Sequence, residues 1–238
     1  MKKTKKMNIV FAALLIFALI VLPGCSPVLN ISSYKPSFNA NSVSLVENYD
    51  ALSLYYSFIY NLKSAKITKT ELSRGNLFGF ASYTKEEIIY NAPEMLYRKT
   101  NPLVFFFAPD FDYFDGENYY YKYNNQWYSD ITYSETFTID FLGIPAYVFE
   151  DYSVSFNRLF KTDDGYILKV QGKADKNIFE ISGVADNNKI ISYLLIEFES
   201  TKSDGSIAKT ALLIEYADVN SDIEISIPKS LDLNNISY

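Results

Sequence analysis

The 238-residue chain contains no histidine. That removes the commonest general base, the commonest transition-metal ligand and the one side chain that titrates unperturbed between pH 5 and 8. Cysteine occurs once, at Cys25, so no intrachain disulfide can form and the folded part must be held by its core. A nucleophile–histidine pair is excluded, and neither a Gly-x-Ser-x-Gly elbow nor a phosphate-binding glycine loop is present. Long hydrophobic runs are equally scarce. The apolar stretch from Ile9 to Leu22 falls short of the roughly 20 residues that a membrane-spanning helix needs. These absences point away from an enzyme and give no reason to expect a cofactor or a metal.

What is present begins at the N-terminus. Met1-Lys2-Lys3-Thr4-Lys5-Lys6 is basic, Asn8 to Val21 is mostly apolar, and Leu22-Pro23-Gly24 precedes Cys25. A charged region, an apolar region and a small-residue cleavage site form a secretory signal. Cysteine directly after Leu-Pro-Gly makes this one resemble a bacterial lipoprotein signal. The resemblance implies that residues 1–24 are removed and Cys25 is acylated, which would place the protein outside the cytoplasm, lipid-anchored to a bacterial membrane. Residues 25–43, rich in Ser, Asn and Pro, then read as a tether. The removed segment holds four of the 22 basic residues and none of the 28 acidic ones, so the mature chain carries −10. An acidic exported domain is a poor nucleic-acid binder, because phosphate contacts need clustered Lys and Arg.

Tyrosine (21) and phenylalanine (18) dominate the aromatic residues, against a single tryptophan, which favours strands and a large apolar core. One helix is expected near the start of the domain. Ser44 and Glu47 have capping-box spacing, and Leu45, Tyr49, Leu52, Tyr56, Ile59 and Leu62 form an apolar face running to about Lys63. Leu54, Tyr55 and Phe58 widen that face, as in a helix buried on more than one side. From Ala65 onward strands dominate, over 65–74, 77–91, 95–99, 103–108, 111–114, 118–123 and 126–131. A less regular segment follows over 135–151, with a short helix or aromatic loop. The meander then resumes over 152–160, 166–171, 178–184, 189–199, 207–216 and 223–227. Asp, Asn and Gly punctuate the steps, at Gly75-Asn76, Asp115-Gly116, Asn124-Asn125, Asp163-Asp164-Gly165, Asp186-Asn187-Asn188 and Ser203-Asp204-Gly205. Consecutive antiparallel hairpins follow from this pattern. The absence of β–α alternation argues against a parallel sheet.

One early helix and about ten meandering strands resemble the LolA/LppX-like periplasmic lipoprotein-carrier superfamily. Three stretches carry the likeness. Tyr90-Asn91-Ala92-Pro93-Glu94-Met95-Leu96-Tyr97-Arg98 resembles that family's strand–proline–strand step. Asp115-Gly116-Glu117 leading through Asn118–Tyr123 to Gln126-Trp127-Tyr128 resembles its aromatic hairpin. Ile223–Ile227 before Pro228 resembles its terminal strand. The resemblance implies an α+β, mostly β fold: a curved antiparallel half-barrel sheet of about ten strands wrapped around one or more helices. This domain would cover 44–230, with a C-terminal tail over 231–238. It further implies a non-enzymatic protein that binds or transfers an apolar ligand, a lipid or acyl chain, in the half-barrel.

Candidate ligand-facing residues are Tyr56 on the helix, Phe105 and Phe107 on the apolar strand Leu103–Ala108, and Tyr119 and Tyr121 on the aromatic hairpin; Cys25 is the lipid-attachment site. Each aromatic position also fits ordinary core packing. Two further classes stay open: an envelope protein-interaction or sensor module with a filled core, and a glycan-binding surface on the row Tyr119, Tyr121, Tyr123. The carboxylates Asp110, Asp112, Asp115 and Glu117 fail the spacing of a calcium loop and fit an Asp-Gly turn instead. Glu86 and Glu87 are strand neighbours on opposite faces, so they cannot flank one glycosidic bond.

Overall fold

In the computed structural model, residues 34–36, 43–74, 81–100, 110–123, 126–130, 141–145, 147–150, 153–174, 177–201, 205–227, 231 and 236 are described. Cys25, the strand expected over 103–108 with Phe105 and Phe107, and the turns Gly75-Asn76 and Asn124-Asn125 lie outside them. The chain divides into Met1–Tyr34 and Lys35–Tyr238, and the described strands and helices all belong to the second unit. No helix among the described residues is long and apolar enough to cross a membrane.

Twelve strands and two helices of this unit are described. In chain order they are β1 (Ser44–Leu45), α1 (Ala51–Tyr60), β2 (Ser64–Arg74), β3 (Ala81–Asn91), β4 (Glu94–Thr100), β5 (Asp110–Phe114), β6 (Tyr119–Tyr123), β7 (Gln126–Asp130), α2 (Tyr147–Glu150), β8 (Ser153–Lys161), β9 (Gly165–Ala174), β10 (Asn177–Asp186), β11 (Ile191–Thr201) and β12 (Ile207–Ala217). All pair antiparallel in one open sheet of order β1-β8-β9-β10-β11-β12-β2-β3-β4-β5-β6-β7. Two meanders, β2–β7 and β8–β12, are thus joined where β12 pairs with β2. The link from β7 to β8 must travel from one edge of the sheet towards the other. Its described parts, 141–145 and 147–150, set Leu142, Ile144 and Val148 into the core against α1.

Curvature follows from what that core contains. Strands β8 through β12 and β2 through β4 all contribute buried side chains to one cluster with Leu54, Tyr55 and Phe58 of α1. Laid flat, eight strands span about 34 Å at their usual spacing. A ten-residue helix is only about 15 Å long and about 10 Å across. One cluster can hold both only if the sheet curls around the helix. The mostly β half-barrel expected from the sequence is the observed fold.

The helix begins later than its capping-box signal. Asp50 is the N-cap, its carboxylate accepting from the Ser53 amide at 2.7 Å. The Leu52 amide donates to Asn157 of β8 at 3.1 Å. Ser44 and Leu45, expected inside the helix, instead pair with Lys161 and Phe160 as an edge strand. The long-range ladder prevails over the local cap, and Asp50 offers an equivalent cap six residues on. The segment Ile223–Ile227, expected as a terminal strand, has no strand partner. Its Ile223 carbonyl accepts from the Asn91 side chain at 2.8 Å. From there the chain packs Ile225, Leu231 and Ile236 on Tyr113, Tyr120 and Trp127, forming a second, smaller cluster.

Candidate functional site

Register separates the two faces of the β4–β7 end. Pairings Tyr97↔Asp112, Asp112↔Tyr121 and Tyr121↔Tyr128 place these four residues in one row across the sheet. The adjoining row on the same face is Met95, Phe114 and Tyr119, which reaches into the main core. Strand alternation sends Tyr113, Tyr120 and Trp127 to the outer face and its separate cluster. The concave face is therefore close-packed where α1 and Phe141–Glu150 lie, and opens beyond Tyr97.

The opening is a cleft of about 450 Å³ lined by Tyr97, Lys99, Asp112, Tyr119, Tyr121 and Lys122. That volume lies within the usual range of small-molecule sites, about 300–1,000 Å³. Tyr97 is its deep wall, fixed by an edge-to-face contact with Phe141 at 5.2 Å. The Tyr119 hydroxyl donates to Asp112 at 2.5 Å. Lys99 donates to Glu86 of β3 at 3.0 Å, which places a charged rim beside the aromatic wall. Tyr119, Tyr121 and Tyr128 form a ladder, with centroids 6.0 and 5.7 Å apart and ring planes within 26° and 20°. Near-parallel rings turn their faces towards one another and leave ring edges for a ligand. A sugar ring needs an open aromatic face, so the ladder suits an alkyl chain lying across ring edges better than a stacked glycan.

Of the five aromatic candidates, the structure brings Tyr119 and Tyr121 together at this cleft. Tyr119 is half-buried and Tyr121 is 36% exposed. Tyr56 stands elsewhere, against Tyr55 and Phe149, and is not among the lining residues. Phe105, Phe107 and Cys25, with the Tyr123 side chain, lie outside the described residues. Tyr97, Lys99 and Tyr128 were not singled out from the sequence. Tyr128 was legible, because the Asn-Asn turn signal in the sequence implies a hairpin, and the observed register sets Tyr121 opposite Tyr128.

The described lining of the cleft combines tyrosine rings, two lysines and one carboxylate. Asp112 is the single carboxylate among the described lining residues, and it already accepts a phenol. Glycoside hydrolysis would require two carboxylates across the bond. Asp115, in the turn expected from its Asp-Gly pair, is committed to that turn. It accepts from the Asn118 and Glu117 amides at 2.7 and 2.8 Å and from the Tyr120 hydroxyl at 2.9 Å. Burial acts to raise its pKa, but those hydrogen bonds outweigh burial and hold it below the usual carboxylate value. No group of three potential metal ligands is found among the described residues.

No protein-family model matches the chain, and no curated protein matches it significantly. Among solved structures it is similar to the lipoprotein LppX of Mycobacterium tuberculosis, at 10% identity over 74% of this chain and 96% of that one, with a TM-score of 0.43. It is similar to LprF of Mycobacterium bovis, at 12% identity over 76% and 97%, with a TM-score of 0.38. A LolA superfamily protein from Nitrosomonas europaea is similar at 8% identity over 74% and 95%, with a TM-score of 0.34. The last of these bears the superfamily name that the sequence resembles. Similarity at this level concerns fold alone.

Proposed function

We propose that the protein is a non-enzymatic extracytoplasmic lipoprotein, held to a bacterial membrane through acylated Cys25, that binds an apolar ligand such as a lipid or acyl chain in its half-barrel. The observation that carries this reading is the change in the concave face at Tyr97, from close-packed core to an open cleft with an aromatic wall and a charged rim. An amphipathic molecule matches that pairing: an alkyl chain along Tyr97, Tyr119 and Tyr121, and a polar group towards Lys99. Attachment through Cys25 would make the protein a fixed receiver or donor rather than a shuttle.

A second reading, an envelope protein-interaction or sensor module, draws support from the filling of the concave face by α1 and Phe141–Glu150. Native mass spectrometry of the full-length protein, extracted from membranes in mild detergent, separates the two. The expected result is acylation at Cys25 together with a non-covalent apolar adduct that is depleted in Tyr121→Ala. Acylated protein that never carries an adduct but crosslinks to one protein partner would favour the second reading. Absence of palmitate label, with no difference in Cys25→Ala, would remove the anchor.

A further inference from the structure

The outer face of the sheet has an unusual composition at one end. β10 and β12 both begin there, and β9 and β11 both end there. Phe156, Ile178 and Ile207 are 38%, 48% and 60% exposed. The pairings Phe156↔Gln171↔Glu180↔Glu197↔Ala211 and Lys173↔Ile178↔Glu199↔Lys209 put the first two in adjacent rows of one face. Ile207, two residues from Lys209 along β12, extends that face. It is the outer one, because the alternate residues Phe179, Ile181, Ile196 and Leu212 belong to the inner core.

Carboxylates beside these apolar side chains are neutralised by lysines. Glu180 pairs with Lys169 at 2.8 Å, Glu197 with Lys35 at 2.7 Å, and Glu199 with Lys209. Paired carboxylates lose less on leaving water than lone ones. The Lys35 contact also says where the tether meets the domain. Glu197 is two residues from Glu199, the partner of Ile178, so Lys35 arrives within about 15 Å of the exposed cluster. Lys35 is ten residues from Cys25, a reach of at most about 35 Å.

We propose that this end of the outer face, presenting Phe156, Ile178 and Ile207, rests on the lipid bilayer that holds Cys25. The inference builds on the anchored lipoprotein reading. Once Cys25 is in the membrane, the short tether keeps this face at high effective concentration beside the lipid surface, so even a weak apolar contact is occupied. With the mature chain at −10, the contact is apolar rather than electrostatic, and salt leaves it unchanged.

Full-length acylated Ile207→Cys and Asp164→Cys variants test it, each labelled with an environment-sensitive fluorophore and reconstituted into phosphatidylcholine vesicles with or without brominated acyl chains. Acylation blocks Cys25 as a labelling site, and palmitate incorporation is measured on the same samples. Asp164 lies in the β8–β9 turn, at the far end of β9, about 30 Å away. The probe at 207 should lose about half its emission to the bromines, in low or high salt, while the probe at 164 keeps its emission. Palmitate present with no quenching at 207, or equal quenching at both sites, overturns the orientation and leaves the anchor standing. Palmitate absent removes the anchor, and the proposal falls with it.

Discussion

The segment that fills the half-barrel is pinned in part by the Tyr55 phenol, and that contact yields a quantitative prediction. Tyr55 of α1 is buried, and its hydroxyl accepts from the buried Ile144 amide at 2.6 Å, across 89 residues of chain. Beside it, a Cβ built on Gly143 would stand 2.0 Å from Tyr55 Oη, 3.1 Å from Tyr55 Cζ and 3.3 Å from Ile59 Cδ1. Tyr55→Phe strands the Ile144 N–H, which costs about 1–3 kcal/mol. Gly143→Ala overpacks the same point and costs about 1–3 kcal/mol by displacing the hydroxyl, the hydrogen bond or both. Removing the hydroxyl first relieves the 2.0 Å clash, so the two substitutions must not add. The double variant should be more stable than the sum of the singles predicts, by about 1 kcal/mol or more. Urea denaturation of the four proteins of the cycle, followed by near-ultraviolet circular dichroism, measures the difference. Additivity within about 0.5 kcal/mol would refute the claim that Tyr55 and Gly143 meet as described.

Other consequences follow from the same packing. Gly172 faces Phe179 across β9 and β10, and a Cβ there would stand 2.0 Å from the buried ring, so Gly172→Ala should cost about 1–3 kcal/mol in chemical denaturation. Trp127, the sole tryptophan, is buried beside Leu231; Leu231→Ala should shift its fluorescence to the red and cost about 2 kcal/mol. An unchanged spectrum would place the C-terminal segment elsewhere. Because the folded Asp115 has a lowered pKa, its stabilisation is present above the unfolded value and is lost as pH falls through the folded one. Asp115→Asn should therefore be less stable than the parent by about 1 kcal/mol at pH 7, and the gap should shrink below about pH 4. A gap constant from pH 7 to 2 would contradict this account.

The meander was legible in the sequence because its turns carry their own chemistry. The carboxylate of Asp115 holds the hairpin before Tyr119, and Asp186 holds the next-to-last one by accepting from the Asn188 and Ile190 amides at 2.8 Å. Alternation then fixed which side of each strand is buried. What stayed hidden depends on partners far away in the chain. Ser44 and Leu45 carry a helix-start pattern but sit opposite β8. Ile223 to Ile227 alternate like a strand, yet they carry no ladder and lead into the outer cluster. The plug at Leu142–Ile144 is held by the Tyr55 and Tyr216 hydroxyls, the latter donating to the Leu142 carbonyl at 3.0 Å. Nothing local announces that pair. The cleft was half legible: Tyr119 and Tyr121 stand out as a tyrosine row, whereas Tyr97 and Lys99 join them only through the β4–β5 register.

The proposed function sets an apolar ligand against the aromatic end of the half-barrel. A fatty acid carrying a photoactivatable diazirine on its chain, crosslinked to the full-length protein and mapped by peptide mass spectrometry, tests it most directly. Peptides containing Tyr97–Lys99 and Tyr119–Lys122 should be labelled, with the label suppressed by excess unlabelled fatty acid and weakened in Tyr121→Ala. Labelling confined to the outer face, or none that competes, would contradict that function.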